Sequence, residues 1–264
     1  MKKSYDLFAD YHDAIVRGVT GSSLEEEIEF LEEVIQRHKP DTKRIFEFAC
    51  GTGIMASELV KRGYQVLGLD ISDQMCQKAR KNIGEENVIC WDMRSYELKE
   101  DFDAVLCNYN SICHLTDFED WKQTFKNAYN NLEKWGIFVF DINTIAEFET
   151  ITSDFAQFYN IWADTVCLEM FKRFDHDPDS YWLGTHYEWL VKIFKADHDN
   201  NEAGKQLNKY TLYEEVVREN SFDINEIRIE LEIAGFQVLE ITDYHDGEKA
   251  SEESERVYYV CRKK

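Results

Sequence analysis

RIFEFACGTGIMASELVKRGYQVLGLDIS, residues 44–72, is the stretch that predicts the fold of this chain. An apolar run meets a glycine turn, a helix-like segment follows and closes at Gly63, and a second apolar run ends at Asp70. The turn, Gly51 to Ala56, fits the pattern G-x-G-x-x-A that joins a strand to a helix around a nucleotide-type ligand. The stretch therefore predicts a strand–turn–helix–strand unit, and the open question is which ligand the turn holds.

Apolar runs and helix-like segments keep alternating after this unit. Because strands this apolar are typical of a parallel sheet that helices cover on both faces, the alternation predicts an α/β fold. We expect a Rossmann-like, doubly wound sheet of seven mostly parallel strands, whose last two strands form an antiparallel hairpin at one side. The segments after residue 70 that carry this prediction are a helix at 72–83, strands at 87–92 and 102–109, a helix at 117–134, a strand at 136–143, a helix ending at Gly235, and strands at 237–245 and 254–264.

Two regions depart from the alternation. Residues 21–40 are typical of an amphipathic helix, because apolar residues recur on one face until Pro40 stops the segment. Residues 166–219 are rich in aromatic and β-branched residues with period-two alternation, which predicts antiparallel strands. The chain is therefore predicted to contain an N-terminal helical cap at 1–40, an α/β core formed by 41–165 and 220–264, and a β-rich substrate lid at 166–219.

Composition limits the classes of partner. The chain has 264 residues with 52 acidic and 30 basic side chains, which gives a formal net charge of -22. A field of this sign repels nucleic acid and anionic membranes, so we expect neither as a partner. A small-molecule substrate is expected instead, and the composition says nothing about oligomeric state.

The cysteines indicate the compartment. There are seven, scattered through mostly apolar runs without a C-x-x-C pair, so we expect reduced, packed thiols and neither a disulfide framework nor a structural zinc site. No metal site is predicted from the carboxylates either. No apolar run reaches membrane-spanning length, and the lysines near the start have no apolar stretch behind them, so a cytoplasmic location is predicted.

Three carboxylates narrow the choice of ligand. Glu47 lies inside the first predicted strand, Asp70 ends the second, and Asp92 follows the third. A carboxylate at Glu47 suits an ammonium group better than a pyrophosphate, Asp70 suits ribose hydroxyls, and Asp92 suits an adenine amino group with Met93 against the ring. S-adenosylmethionine carries these groups. A dinucleotide such as NAD is the alternative, although no hydride-transfer constellation is visible in the sequence.

The same motifs resemble those of class I S-adenosylmethionine-dependent methyltransferases that act on small molecules. FEFACGTG, GLDISDQMCQKAR and WDMRSY resemble the family's cofactor motifs, and FDAVLCNYNSICHL resembles its fourth strand with the substrate-side loop. The resemblance implies S-adenosylmethionine as cofactor and S-adenosylhomocysteine as product. Carried onto this sequence, it implies cofactor contacts by Tyr11, Arg17, Glu47, Ala49, Cys50, Gly51, Gly53, Asp70, Ile71, Met75, Asp92, Met93, Arg94 and Asn108.

Within that family, the nearest resemblance is to glycine N-methyltransferases and aminosugar N-methyltransferases. YNSICHL is similar to the glycine-type loop, and YDLFADYHDAIVRG resembles an N-terminal helix that folds over the cofactor. This implies catalytic-site positions for His114, Asn110 and His12. His114 is expected to hold the cofactor carboxylate, orient the substrate or act as a base; a structural histidine is the alternative. For Asn110, substrate orientation and turn stabilisation both fit.

The functional prediction follows from these motifs. We expect methyl transfer from S-adenosylmethionine to a small molecule, with an amine nitrogen as first choice of acceptor. A hydroxyl or carboxylate oxygen is the runner-up. Alternatives of another class are a protein that binds S-adenosylmethionine without turnover and an NAD-dependent oxidoreductase.

Overall fold

The computed structural model describes residues 9–19, 24–96, 98, 101–150, 156–174, 185–196, 209–245 and 247–264. Side chains of residues 16–19, 159, 173–174 and 185–187 are outside this description, although their backbone belongs to it. Residues 175–184 and 197–208 of the predicted lid at 166–219 lie outside the described ranges.

Seven helices and eleven strands make up the described part of the chain. The helices are α1 His12–Val19, α2 Leu24–His38, α3 Ile54–Lys61, α4 Asp73–Ile83, α5 Phe118–Asn131, α6 Ile145–Thr150 and α7 Ile224–Ile233, with short 3-10 helices at Glu85–Asn87 and Ser111–His114. The strands are β1 Arg44–Phe48, β2 Gln65–Asp70, β3 Val88–Cys90, β4 Phe102–Cys107, β5 Leu132–Asn143, β6 Ala156–Trp162, β7 Thr165–Phe174, β8 Thr185–Ala196, β9 Tyr210–Ser221, β10 Phe236–Asp243 and β11 Arg256–Lys263.

The predicted seven-stranded sheet is confirmed. Its strand order is β10-β11-β5-β4-β1-β2-β3, and β11 alone runs antiparallel to its two neighbours. Parallel pairing joins β1 with β2 and with β4, so the chain order reverses direction at β1. Open α/β sheets bind their ligands outside the carboxyl ends of the strands at such a switch point. The loops that follow β1 and β4 are therefore the expected walls of a ligand site.

Core packing explains the central strands and α2. Ile45, Phe46 and Phe48 of β1 are fully buried, as expected for a strand covered on both faces. The buried face of α2 includes Ile28 and Leu31, which confirms the amphipathic pattern. Apolar packing on both sides of the sheet fixes the strand ends that carry the polar site residues.

The end of α5 differs from the sequence prediction. The helix predicted for 117–134 ends at Asn131, and the next three residues already belong to β5. Leu132 is buried and pairs in register with Phe102 of β4, so sheet pairing overrides a helix-compatible sequence. The strand is irregular here, because Trp135 has a φ of 70° and the register shifts between Phe102 and Ala104.

A second, antiparallel sheet has the strand order β6-β7-β8-β9. Strands corresponding to β7, β8 and β9 were expected from the sequence, whereas β6 was not. In the edge strand β6, the apolar side chain of Phe158 is 78% exposed. Apolar residues of β6 therefore do not all lie on a buried face, and the strand lacks the one-sided apolar pattern by which a half-buried strand is recognised. The strand β9 also runs two residues beyond the expected lid boundary, to Ser221. The division into cap, core and lid stays a prediction.

The helix α1 lies against the second sheet. Ile15 and the preceding Tyr11 form an apolar cluster with Cys167 of β7 and with Val191 and Ile193 of β8. This packing holds the N-terminal segment against the second sheet. In the part of the chain that the structure describes, no helix has both the length and the apolar character needed to cross a bilayer.

Candidate active site

The turn after β1 has left-handed backbone at three positions. The φ angles of Ala49, Gly51 and Gly53 are 52°, 55° and 75°. Gly53 also packs so tightly against α4 that a Cβ there would lie 3.1 Å from the Cα of Ala79. Glycine is therefore required at Gly53 by both conformation and space. The turn brings its backbone N–H groups beside the end of β2.

Asp70 holds this turn in place. Its Oδ2 accepts a hydrogen bond from the Gly51 N–H at 2.9 Å, and its Oδ1 accepts one from the Ser72 N–H at 2.8 Å. Burial raises the pKa of Asp70, while these two N–H groups and the nearby rings of His12 and His114 oppose that rise. A carboxylate has about four acceptor positions, so two remain for a ligand. Ile71 follows directly and is 44% exposed, which leaves an apolar surface beside the carboxylate.

Glu47 of β1 is a buried carboxyl group with an unusual pKa. The side chain is 4% exposed, and burial together with the charge of Asp70 raises its pKa to about 8, against a smaller opposing contribution from the Ala56 N–H. Among the described residues, its Oε2 has no hydrogen-bond partner. Buried polar atoms are almost always hydrogen-bonded in proteins, so this oxygen indicates a place for an external donor.

Asn108, directly after β4, presents a similar acceptor. Its Oδ1 is buried and has no hydrogen-bond partner in the described ranges, while its Nδ2 lies 3.1 Å from the Sδ of Met55. Met55 and Ala56 are neighbours at the start of α3, so Glu47 and Asn108 both contact the same end of that helix. Two acceptors near one helix terminus suit a donor-rich group such as an ammonium ion.

The loop after β3 is fixed by a charged side chain. Arg94 donates from Nε to Asp92 Oδ1 at 2.9 Å and from Nη1 to Asp120 Oδ2 at 2.6 Å. It thereby ties Asp92 to α5, while Met93 is buried in the core cluster. A forked guanidinium between two carboxylates defines the loop geometry well. The exposed Trp91 precedes this loop.

The start of α1 lies over the glycine turn. A Cβ placed on Gly51 would lie 4.0 Å from Cε1 of His12, and Thr52 donates a 2.7 Å hydrogen bond to Asp13 Oδ1. The adjacent Tyr11 contacts the rings of Trp162 and Tyr213 in the second sheet, at centroid distances of 5.4 and 5.9 Å. The N-terminal segment therefore bridges the turn and the second sheet. The side chain of Arg17 lies outside the described part.

The loop after β4 carries Asn110 and His114 in a strained backbone. Tyr109 and Asn110 have φ angles of 57° and 45°, which non-glycine residues rarely adopt. Asp141 of β5 stabilises this conformation by accepting a 2.9 Å hydrogen bond from the Asn110 N–H. Strained turns of this kind persist when surrounding contacts fix them, and they concentrate at functional sites.

Glu219 of β9 is a site residue that the sequence reasoning missed. It is 3% exposed, and its Oε2 accepts a 3.2 Å hydrogen bond from Asn110 Nδ2, while its Oε1 lies 3.7 Å from His114 Nδ1. Next to it, Asn220 donates to the Thr116 carbonyl at 2.8 Å. The available signal was the alternation of β9, because Val217 and Glu219 share its buried face.

Behind this loop lies a buried charged network. Arg256 of β11 donates from Nε to Asp141 Oδ2 at 2.7 Å, and its guanidinium stacks on Tyr244, 4.0 Å from the ring centroid. Tyr244 donates in turn to Glu27 of α2 at 3.0 Å. The network joins β5, β11 and α2 and supports the backbone of Asn110.

The remaining predicted cofactor contacts are Cys50 and Met75, which are both buried in the described structure. The N–H of Met75 is capped by Ser72 Oγ at 3.3 Å, so this residue also has a role at the start of α4. Cofactor contact by either side chain stays a prediction. Within the described ranges, no group of three or more His, Cys, Asp or Glu side chains is arranged to hold a metal ion.

Comparison with known proteins agrees with this geometry. Residues 45–136 match the family model described as a methyltransferase domain. A chain of Geobacillus sp. (strain WCH70) named as a methyltransferase is 26% identical over 271 residues, covering 98% of this chain and all of that one. Residues 45–136 of this chain form a methyltransferase domain, and the enzyme class expected from the sequence is confirmed. The recognition made from the sequence motifs and the cofactor prediction are thereby confirmed.

Two further proteins are similar to this chain, one in sequence over about half of its length and the other in structure over nearly all of it. The glycine/sarcosine N-methyltransferase of Aphanothece halophytica is 31% identical over 140 residues, which cover 51% of each chain. The solved structure of an amino pentose methyltransferase from Micromonospora echinaspora, with S-adenosylmethionine bound, has a TM-score of 0.72 at 18% identity and covers 96% of each chain. This structural likeness shows a shared fold. The predicted partners and cytoplasmic location of the methyltransferase stay predictions.

Proposed function

We propose that the chain binds S-adenosylmethionine across the ends of β1 to β4 and transfers its methyl group to an amine nitrogen of a small molecule. The observation that carries this proposal is a set of buried carboxyl groups around the crevice that open α/β sheets form outside the carboxyl ends of their strands. Glu47, Asp70 and Glu219 are each at most 8% exposed and come from three different strands. Buried acidic groups favour cationic partners, and methyl transfer to an amine involves a sulfonium, an ammonium and a methylated nitrogen.

The residues of the crevice fit the parts of the cofactor. Glu47 and Asn108 would accept from its ammonium group, and Asp70 would accept from its ribose hydroxyls with its two remaining acceptor positions. Asp92 would accept from the adenine amino group, with the ring between Met93 and Ile71. When bound, the cofactor supplies an electrophilic methyl group on a sulfonium ion.

Other predicted contacts have supporting roles in this proposal. Gly51 and Gly53 allow close backbone approach, and Arg94 holds the adenine loop through Asp92. Tyr11 and His12 would cover the sulfonium side, because α1 begins over the turn. Contact with the cofactor is proposed as well for the remaining positions of the motifs, Arg17, Ala49, Cys50 and Met75.

Support for a nitrogen acceptor comes from two sources. The matched proteins from Aphanothece halophytica and Micromonospora echinaspora are named for methylation of glycine or sarcosine and of an amino pentose. In this chain, the side of the crevice formed by Asn110 and His114 receives the carboxylate of Glu219. A carboxylate there suits an amine better than a carboxylate acceptor, because like charges repel. A hydroxyl acceptor is the weaker alternative.

Calorimetric titration tests the cofactor site. S-adenosylhomocysteine, S-adenosylmethionine and NAD are titrated in parallel into the wild type, Asp70→Ala and the control Asp101→Ala, whose side chain is exposed before β4. We expect micromolar binding of the first two ligands to the wild type and control, and at least about 100-fold weaker binding to Asp70→Ala, because two ribose contacts and the turn are lost. Unchanged affinity in folded Asp70→Ala would remove the ribose assignment, and binding of NAD alone would overturn the cofactor site.

A screen with matched acceptors tests the nitrogen preference. Glycine is compared with glycolate, and an amino pentose with the corresponding pentose, by release of S-adenosylhomocysteine and by mass spectrometry of the product. We expect methylated product from at least one amine and none from its oxygen analogue. Product from the oxygen analogues alone would contradict the amine proposal and leave the methyltransferase assignment intact.

A further inference from the structure

We propose that Glu219 is a positioning residue, which orients His114 so that the histidine accepts a proton from the methylated amine. The inference rests on the proposed function, because it assigns a role at the acceptor side of that site. Its basis is a contact between two sheets: β9 of the antiparallel sheet supplies the carboxylate, and the loop after β4 of the parallel sheet supplies the imidazole.

Distances and burial define the pair. Glu219 Oε1 lies 3.7 Å from Nδ1 of His114, and the side chains are 4% and 24% exposed. A distance of 3.7 Å is longer than a hydrogen bond, but catalytic hydrogen bonds are often long in ligand-free proteins and shorten when substrate binds. The other carboxylate oxygen is held by Asn110 Nδ2 at 3.2 Å, which fixes the plane of the carboxylate.

The charged groups around the pair favour an imidazole that carries a proton on Nδ1. Asp70, from the end of β2, interacts electrostatically with His114 and with His12 of α1. Glu147 of α6 interacts electrostatically with Glu219. Burial, above all, raises the pKa of Glu147, and the negative charges of Glu255 and Glu219 add to this rise. The acidic groups beside the two histidines thus include Asp70 at the end of β2, Glu219 of β9 next to His114, and Asp13 of α1, whose Oδ1 lies 3.2 Å from His12 Nδ1. A carboxylate beside Nδ1 selects the tautomer with hydrogen on that atom and leaves the lone pair on Nε2.

The chemistry of the step balances with these groups. The nitrogen lone pair of the acceptor forms a bond to the methyl carbon while the carbon–sulfur bond breaks and its electron pair stays on sulfur. The positive charge moves from sulfur to nitrogen. The nitrogen then gives its proton to Nε2 of His114, and the electron pair of that N–H bond becomes the lone pair of the methylated amine. The resulting imidazolium is stabilised by the Glu219 carboxylate facing Nδ1.

Nitrogen-15 NMR of the histidine rings tests the pair without any acceptor. Spectra are compared for the wild type, Glu219→Gln and Glu219→Asp, each saturated with S-adenosylhomocysteine, and His114→Gln identifies the His114 signals. The substitution Glu219→Gln retains an oxygen for Asn110 but removes the charge. Glu214→Gln is the control, since Glu214 is an exposed residue of the same strand that pairs with Lys192 at 2.9 Å.

We expect His114 in the wild type and in the Glu214→Gln control to be the Nδ1–H tautomer when neutral. Glu219→Gln is expected to convert it to a mixture or to the Nε2–H tautomer, and Glu219→Asp to give an intermediate result. The same tautomer in the wild type and in folded Glu219→Gln would overturn the inference. This outcome would leave the proposed cofactor and acceptor class intact, because the measurement does not depend on turnover.

Kinetics with an amine accepted in the screen gives the second readout. Glu219→Gln is expected to lower kcat by about 10- to 100-fold, less than the roughly 10²–10⁴-fold contribution of a general base, because His114 itself is retained. The KM for S-adenosylmethionine should stay within about twofold, and the pH profile of kcat should change shape. A raised cofactor KM with unchanged kcat, or an unchanged pH profile, would contradict the positioning role. Failure of every amine in favour of oxygen acceptors would instead overturn the proposed function.

Discussion

The two sheets of this methyltransferase use polar residues in different ways. In the mostly parallel sheet, strands such as β1 and β4 are apolar along most of their length, and the polar site residues lie at or near carboxyl ends. Glu47 lies near the end of β1, Asp70 ends β2, and Asn108 directly follows β4. In the antiparallel sheet, carboxylates lie within the strands themselves, and Glu169 and Glu219 are buried on the same face as apolar residues. A parallel sheet thus places its chemistry at one edge, whereas an antiparallel sheet presents chemistry across a face.

This difference explains how the two regions meet. The loop after β4 projects from the edge of the parallel sheet, and β9 meets it with the Glu219 carboxylate and the Asn220 amide. The N-terminal segment makes a second bridge, because Tyr11 contacts Trp162 while His12 lies over Gly51. The proposed acceptor side is therefore formed by an edge and a face, so changes in either sheet should affect turnover.

Hydrogen exchange should show the largest difference between the two sheets. Amides of β1 and β4 are expected to exchange about 10³-fold or more slowly than those of β6, because opening of central buried strands approaches global unfolding. Among the strands that the structure describes, β6 is an edge strand that pairs with β7 alone, and it exposes Phe158. Exchange followed by NMR or mass spectrometry, with S-adenosylhomocysteine absent, measures the ratio. Equal protection in both sheets would mean that they open as one cooperative unit.

Substitution of Arg256 tests how firmly the parallel sheet holds the strained loop. Arg256→Met leaves Asp141 buried without its cation, so we expect a loss of about 3–5 kcal/mol in the free energy of unfolding. Urea denaturation measures the change. Arg228→Met is the control, since Arg228 pairs with Glu232 on the exposed side of α7 and should change stability by less than about 0.5 kcal/mol. Similar small losses in both variants would contradict a supporting role for the Asp141–Arg256 pair.

The Glu47 carboxylate should strengthen cofactor binding but lower the free energy of unfolding. The pKa of Glu47 is about 8 in the folded chain, against an ordinary value of 4.5 that applies to the unfolded chain. Between these pH values the folded chain therefore binds more protons than the unfolded chain. Stability of the wild type therefore decreases as pH rises from 4.5 to 8. Glu47→Gln cannot lose that proton, and we expect it to exceed the wild type by about 2–4 kcal/mol above pH 8 but to match it near pH 5.

Binding should change in the opposite direction for the same substitution. Glu47→Gln is expected to bind S-adenosylhomocysteine at least about 10-fold more weakly at pH 8, because it lacks a charge for the ammonium group. Chemical denaturation from pH 5 to 9 and calorimetry give the two readouts. Glu29→Gln, at an exposed position of α2, is the control and should alter neither. A variant that is more stable and binds equally well would disprove the ammonium assignment of Glu47.

The sequence predicts the parallel sheet better than the antiparallel sheet, for a physical reason. Apolar runs ending in Gly51, Asp70 and Asp92 carry local information about strand, turn and ligand, so that sheet and its ligand class followed from the motifs. Glu219 becomes a site residue only through pairing of β8 with β9 and through the position of the loop after β4. The alternation of β9 places Glu219 on the buried face of its strand, but it does not identify Asn110 and His114 as the residues that Glu219 contacts. The pairing that ends α5 at Asn131 is unpredictable for the same reason.

The smallest effect is expected at Ala49, in the turn that the parallel sheet uses for its ligand. Ala49 has a φ of 52°, a conformation that costs a residue with a side chain about 1–2 kcal/mol. Ala49→Gly removes this strain. It also increases the conformational entropy of the unfolded chain, which lowers the free energy of unfolding by about 0.4–1 kcal/mol, so we expect a net stabilisation of about 0.5 kcal/mol. Ala234→Gly is the matched comparison, because Ala234 has a right-handed φ of -66° and should lose stability on the same substitution. Thermal unfolding of both variants checks the sign. Destabilisation by Ala49→Gly would show that the Ala49 side chain makes packing contacts worth more than the strain, and that the turn is fixed by packing as well as by Asp70.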